Sequence, residues 1–179
     1  MESFVLGADH AGYRLKENIA THLRAQGFSV EDVGCFSEAS VDYPAISEAL
    51  ALKMQEVHAK ASPDTTVYGL LCCGSGIGVC ISANRFPWVR AVTANDHNTV
   101  VMSRRHNDAN VLCLGARVIA PELAVDLLQT FLNTPFDGGR HQQRVDLMTC
   151  LNGHSLTPAI TVDKQGLPAI GSPEESPLC

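Results

Sequence analysis

Five short apolar runs, most of them followed by a turn and then by apolar residues at helical spacing, set the pattern of the chain. Phe4 to Leu6 end in GADHAG, after which Leu15, Ile19 and Leu23 recur every fourth position until Gly27, predicting a strand, a turn and an amphipathic helix. Phe28 to Val33 read as a second strand, and Val41-Asp42-Tyr43-Pro44 leads into a helix reaching about His58, with Pro44 in its first turn. Val67 to Cys72 are apolar without alternation, as expected of a parallel strand covered on both faces. The run breaks at Gly74-Ser75-Gly76-Ile77-Gly78 and resumes as a helix from Ile77 to Asn84. Arg90 to Ala94 and Val111 to Leu114 predict two more strands, separated by a helix over His97 to Arg105 and the polar cluster His106-Asn107-Asp108-Ala109-Asn110. Pro121 opens a helix whose Leu123, Leu127, Leu128 and Phe131 share a face, and one more helix starts around Asp137-Gly138-Gly139. Alternating strands and helices predict an α/β fold, a doubly wound parallel sheet of five strands with helices on both faces.

A chain of 179 residues, 45% of them hydrophobic, suits one domain with a substantial core. Beyond Leu151 four prolines and three glycines interrupt any period, so residues 1–151 read as the domain and 152–179 as a Pro/Gly-rich extension. No stretch approaches the roughly 20 apolar residues of a membrane span, and MESFVLGADH lacks a basic and a long apolar region. These features predict a cytoplasmic protein without a membrane partner. Seven cysteines, without a CxxC pair or zinc-type spacing, read as reduced thiols. The net charge of −6 argues against nucleic-acid binding. Its distribution is uneven: Arg85 to Arg144 hold seven arginines against five acids, +2 there and −8 elsewhere. One side of the molecule therefore suits a small anion.

The glycine break is the candidate centre of chemistry. Gly74, Ser75, Gly76 and Gly78 permit positive φ and close approach to the backbone, and the following helix start offers unpaired N–H groups to an anion. Cys73 lies where such a helix end lowers a thiol pKa. A dinucleotide fingerprint would need glycine at Val79, and a plain tight turn with Cys73 as a small apolar residue fits the same pattern. Asp9 and His10 occupy a turn at a strand's carboxyl end, where open α/β sheets place ligand groups, although Asp9 also suits a helix cap. Tyr43 either reaches a ligand or staples its helix. His106 is placed to reach a cleft or to sit at the surface. Arg117 ends a strand, and Arg140 and Arg144, four residues apart, match a phosphate dianion or a solvated helix face. His97 and His106 lack the spacing of a metal helix, and no carboxylate supplies a further ligand, so no metal is expected.

Taken together, GADHAGYRLK, VDYP, CCGSGIGVCISANR, SRRHNDANV and GGRHQQR, in that order from Phe4 to Leu151, resemble the type B ribose-5-phosphate isomerases and the related galactose-6-phosphate isomerases. The resemblance implies a Rossmann-like three-layer αβα sandwich with a five-stranded parallel sheet. It further implies a homodimer or a tetramer, and a cofactor-free aldose–ketose isomerase of the pentose phosphate pathway acting on ribose 5-phosphate and ribulose 5-phosphate. By the same resemblance Cys73 is the base that moves a proton through a cis-enediolate, Ser75 handles the neighbouring oxygens and His106 assists ring opening. Asp9 and Tyr43 hold the sugar. The backbone of Gly74, Gly76 and Gly78, with Asn107, binds the enediolate oxygen, and His10, Arg117, Arg140 and Arg144 bind the phosphate. The family's pocket lies between subunits, with the Cys73 loop from one chain and the His106 and Arg117 region from the other. Another branch carries glutamate where this chain has Val79. Trp88, the loop Lys60 to Thr66 and the extension depart from the family pattern and leave allose, galactose or erythrose phosphate as alternative substrates. A non-catalytic sugar-phosphate sensor is a further alternative. A thiol redox protein built on Cys72 and Cys73 is disfavoured by the strain of a disulfide between neighbours.

Overall fold

The computed structural model describes residues 2–62 and 65–151; the proposed extension, 152–179, lies outside them. Five parallel strands, β1 (Glu2–Ala8), β2 (Ser29–Asp32), β3 (Thr66–Cys73), β4 (Ala91–Thr93) and β5 (Val111–Gly115), form one sheet in the order β2-β1-β3-β5-β4. The helices are α1 (Tyr13–Ala25), α2 (Tyr43–Lys60), α3 (Ile77–Ala83), α4 (His97–Asn107), α5 (Pro121–Asn133) and α6 (Arg140–Leu151).

Two apolar clusters confirm the three layers. One joins Leu15, Ile19 and Leu23 of α1, Val100 of α4 and Leu127, Leu128 and Phe131 of α5 to Phe4, Leu6, Leu70, Cys72, Leu112 and Leu114 of the sheet. The other joins Ile46, Leu50 and Met54 of α2 and Val79 and Ala83 of α3 to Val5, Leu71, Cys73, Val111 and Cys113. Successive strand residues thus enter opposite clusters, which explains why β3 and β5 lack polar alternation. The edge strands differ: β2 alternates exposed and half-buried positions, and no residue of the short β4 is fully buried.

A buried ion pair fixes α1 to β2. Lys16, with no exposed surface, places Nζ 2.5 Å from Asp32 Oδ2 and 2.9 Å from Glu17 Oε1. Burial alone would lower the lysine pKa, but the bonds to Asp32 and Glu17 prevail and raise it.

The sequence-derived elements hold, with one displaced boundary that matters. Helix α4 runs on through Asn107, placing His106 in its last turn rather than in a following loop. Its end is set by Asp108, which adopts φ 45° and accepts from Arg90 Nη2 at 2.7 Å and Arg104 Nη1 at 2.9 Å. Around the glycine break only Gly76 has positive φ, 77°, so Gly74, Ser75 and Gly78 serve other ends there.

Candidate active site

β1 and β3 are neighbours whose following helices pack on opposite faces of the sheet. The crevice at their carboxyl ends is a topological switch point, where such sheets bind ligands. A cleft of about 660 Å³ opens there, lined by Asp9, Tyr43, Cys73, Gly74, Ser75, Ile77, Gly78, Ile81, Arg117 and Val118. Cys73 forms its floor. The Gly76 N–H points at the Cys73 Sγ from 3.0 Å, a donor that stabilises negative charge on sulfur. Its neighbour Cys72 faces the opposite cluster, and burial pushes that thiol far above the ordinary range. β3 thus offers one thiol to the cleft and hides the other.

The floor is held by backbone. Asp9 N–H bonds the Cys72 carbonyl at 3.1 Å, and Ala116 N–H bonds the Cys73 carbonyl at 2.8 Å. Gly12 seats so closely on β3 that a methyl group there would stand 2.4 Å from the Cys72 carbonyl carbon and oxygen. On the other side, one on Gly115 would stand 2.7 Å from the Ser75 carbonyl. Both contacts exclude any side chain.

Asp9 is buried and its Oδ1 accepts the N–H groups of Ala11 at 2.9 Å and Gly12 at 3.0 Å. It therefore both caps the turn and lines the cleft. Tyr43 lays its ring over Gly78, where an added methyl would meet the ring at 2.9 Å. Ser75 Oγ accepts the Ile77 N–H at 3.3 Å. Arg117 corrects an expectation: it stands in the same chain's cleft as Cys73, because its N–H bonds the Gly74 carbonyl at 3.0 Å. His10 does not line this cleft; its Nδ1 accepts the Val41 N–H at 3.4 Å.

His106, Asn107, Arg140 and Arg144 also do not line the Cys73 cleft. His106 stacks on His141, with ring centroids 4.2 Å apart and planes 1° from parallel. Burial and the neighbouring charges of His106, Arg140 and Arg144 lower the His141 pKa. Asp137 completes the group, its carboxylate bonded by Arg105 Nε at 3.0 and 3.1 Å. Donor atoms of His106, Asp137 and His141 lie within 4.8 Å of one another, so the sequence reading erred in finding no carboxylate near His106. Arg105 already occupies that carboxylate. Arg140 and Arg144 are exposed beside this group. Sequence reasoning did not single out His141 or Asp137 as site residues, although His141 lies within the quoted GGRHQQR and Asp137 immediately precedes it. Trp88 does not line the cleft; its Nε1 donates to the Ala51 carbonyl at 3.0 Å and its ring packs beside Phe86.

Comparison with known proteins places this geometry among relatives. The family described as Ribose/Galactose Isomerase matches residues 4–148. The chain is 40% identical over 153 residues to ribose-5-phosphate isomerase B of Escherichia coli, covering 84% of this chain and 97% of that one. It is similar in structure to Clostridium thermocellum ribose-5-phosphate isomerase B, with TM-score 0.78, 37% identity and coverage of 86% and 98%. It is equally similar, with TM-score 0.78 at 32% identity and the same coverage, to the Mycoplasma genitalium ribose-5-phosphate isomerase B solved with bound ribulose-5-phosphate.

Proposed function

The chain belongs to the ribose/galactose isomerase family, and we propose that it interconverts ribose 5-phosphate and ribulose 5-phosphate at the Cys73 cleft. The observation that carries this reading is the Cys73 thiol on the floor of a switch-point cleft, facing the Gly76 N–H and flanked by Ser75, Asp9 and Arg117. Aldose–ketose isomerisation needs a base beside the carbonyl and donors where oxyanion charge develops. In the open-chain aldose, the Cys73 thiolate takes the C2 proton, the electron pair moves to the carbonyl oxygen, and a cis-enediolate forms. The same thiol returns the proton to C1. Ser75 carries protons between the two adjacent oxygens, and the Gly74 to Gly78 backbone holds the charged oxygen. Asp9 and Tyr43 orient the sugar.

His106, Asn107, Arg140 and Arg144 act in this reading from a second copy of the chain, with His106 aiding ring opening and the arginines gripping the phosphate beside Arg117. Their absence from the chain's own Cys73 cleft supports the arrangement. So do the exposed apolar side chains of Ile77, Ile81 and Val118 at the cleft rim, of a kind that marks interaction surfaces. The protein is then a homodimer with two shared sites, residues 1–151 forming the catalytic domain. Among the described residues no helix is long and apolar enough to cross a membrane, consistent with a proposed cytoplasmic place in carbohydrate metabolism.

The test is an isomerase assay on aldose phosphates of four to six carbons, with a chelator present. Turnover fastest on ribose 5-phosphate and indifferent to the chelator is expected. Binding without turnover of any of them would instead leave a sugar-phosphate sensor.

A further inference from the structure

His141 is the second residue of α6 and does not line the Cys73 cleft, yet it is held more firmly than a place near a helix end requires. Gly138 and Gly139 take positive φ, 62° and 55°, and turn the chain into α6, where the His141 N–H bonds the Gly138 carbonyl at 3.0 Å. Just before them, Asp137 is clasped twice by Arg105. Its N–H donates to the Arg105 carbonyl at 3.0 Å, and its carboxylate accepts from Arg105 Nε. The start of α6 is thereby pinned to the last turn of α4, the turn that carries His106.

At this junction His141 is buried while Arg140 and Gln142 on either side of it are exposed, and its ring lies parallel to the His106 ring at 4.2 Å. Arg140 Nε donates to His141 Nε2 at 3.4 Å, an acceptor role that only a nitrogen without a proton can play. Burial first, then positive charge on His106, Arg140 and Arg144, push the His141 pKa below the ordinary imidazole value, with Asp137 pulling the other way. Two imidazolium rings face to face would repel each other. A neutral His141 removes that conflict and presents a flat, uncharged face to His106.

We propose that His141 is a positioning residue for opening of the sugar's furanose ring, its imidazole holding that of His106 in the one orientation that meets the ring oxygen. The inference rests on the isomerase reading and on the part His106 plays in it. As the C1–O4 bond of the furanose breaks, O4 takes a proton from His106, and the electron pair of the O1–H bond forms the carbonyl. The O1 proton returns to the same imidazole through solvent water, so the enzyme ends as it began. An imidazole without a backing ring would turn about its side-chain bonds. Locked against His141, it keeps the geometry that proton transfer needs.

The experiment separates ring opening from the proton transfer at carbon. Ribulose 5-phosphate carries its phosphate on O5 and so has no hydroxyl with which to close a furanose. Uptake of solvent deuterium at its C1, followed by NMR, requires Cys73 but no ring opening. In full-length His141→Ala, kcat for conversion of ribose 5-phosphate should fall about ten- to a hundredfold. Deuterium uptake into ribulose 5-phosphate should stay within about threefold of wild type. His141→Phe, which restores an aromatic face, should regain most of the lost kcat. Three results would each overturn the inference: both rates falling together, as a general structural role demands, an unchanged kcat in His141→Ala, or a His141→Phe variant no better than His141→Ala. A wild-type protein that isomerises no aldose phosphate would defeat the isomerase reading itself, and this inference with it.

Discussion

The Arg117 N–H donates to the Gly74 carbonyl at 3.0 Å, and the arginine side chain crosses the same glycine, its Nη1 3.4 Å from where a methyl on Gly74 would sit. The backbone of Arg117 is therefore tied to the strand end that bears Cys73, and its side chain lies over the same loop. A shared-site dimer predicts two different results when inactive subunits are mixed. Cys73→Ser with His106→Asn should recover about a quarter of wild-type activity, because half of randomly formed dimers carry one intact site. Cys73→Ser with an Arg117→Ala protein should recover none of the activity that depends on Arg117. Subunit exchange is verified with differently tagged chains, and full exchange without recovery in the first mixture would remove the shared site.

Cys73→Ser should lower kcat by about two to four powers of ten, since a serine hydroxyl is far too weak an acid to serve as the base. Sugar-phosphate affinity, measured calorimetrically, should stay within a few fold. The hydroxyl is smaller than the thiol and keeps the Gly76 N–H paired, so the fold is retained.

Arg140→Ala and Arg144→Ala should act on binding. Each lost charge-assisted contact costs roughly 1.5 to 3 kcal/mol, about 10- to 150-fold in KM for a phosphorylated sugar. Unphosphorylated ribose should show little difference between variant and wild type. Equal KM values for the phosphorylated sugar in all three proteins would return both arginines to a plain solvated face.

Lys16 sets an alkaline limit on stability. Its folded pKa is raised, so the pair's contribution is complete below the unfolded lysine value of about 10.4 and is lost as pH climbs through the folded one. Urea midpoints should fall in that window for the wild type and far less for Lys16→Met. At neutral pH Lys16→Met should cost about 3 kcal/mol, because it strands the mostly buried Asp32 carboxylate.

The sequence made β1, β3 and β5 legible because both of their faces are covered and their apolar runs have no gaps. The glycine break, Asp9, Tyr43 and Ser75 were legible for a related reason: a loop at a strand's carboxyl end has few places to point. Other features depend on contacts between distant segments. Asp108 turns left-handed between Arg90 and Arg104, which carries α4 past His106, and no local signal announces that arrangement. The His106–His141 stack likewise joins α4 to α6, far apart in sequence. Arg117 was placed on the wrong side because only the Gly74 contact decides where its side chain runs.

The exclusion of side chains at Gly12 and Gly115 separates what this scaffold can vary from what it cannot. The thiol's position depends on two glycines remote from it in sequence, one before α1 and one at the end of β5, so substitutions there would shift the strand end and the loop that hold it. The rim contributed by Tyr43, Ile77, Ile81 and Val118 consists of exposed side chains free of that constraint. Evolution can therefore retune which sugar fits by redrawing the rim, generation after generation, while the inherited chemistry beneath it stays in place.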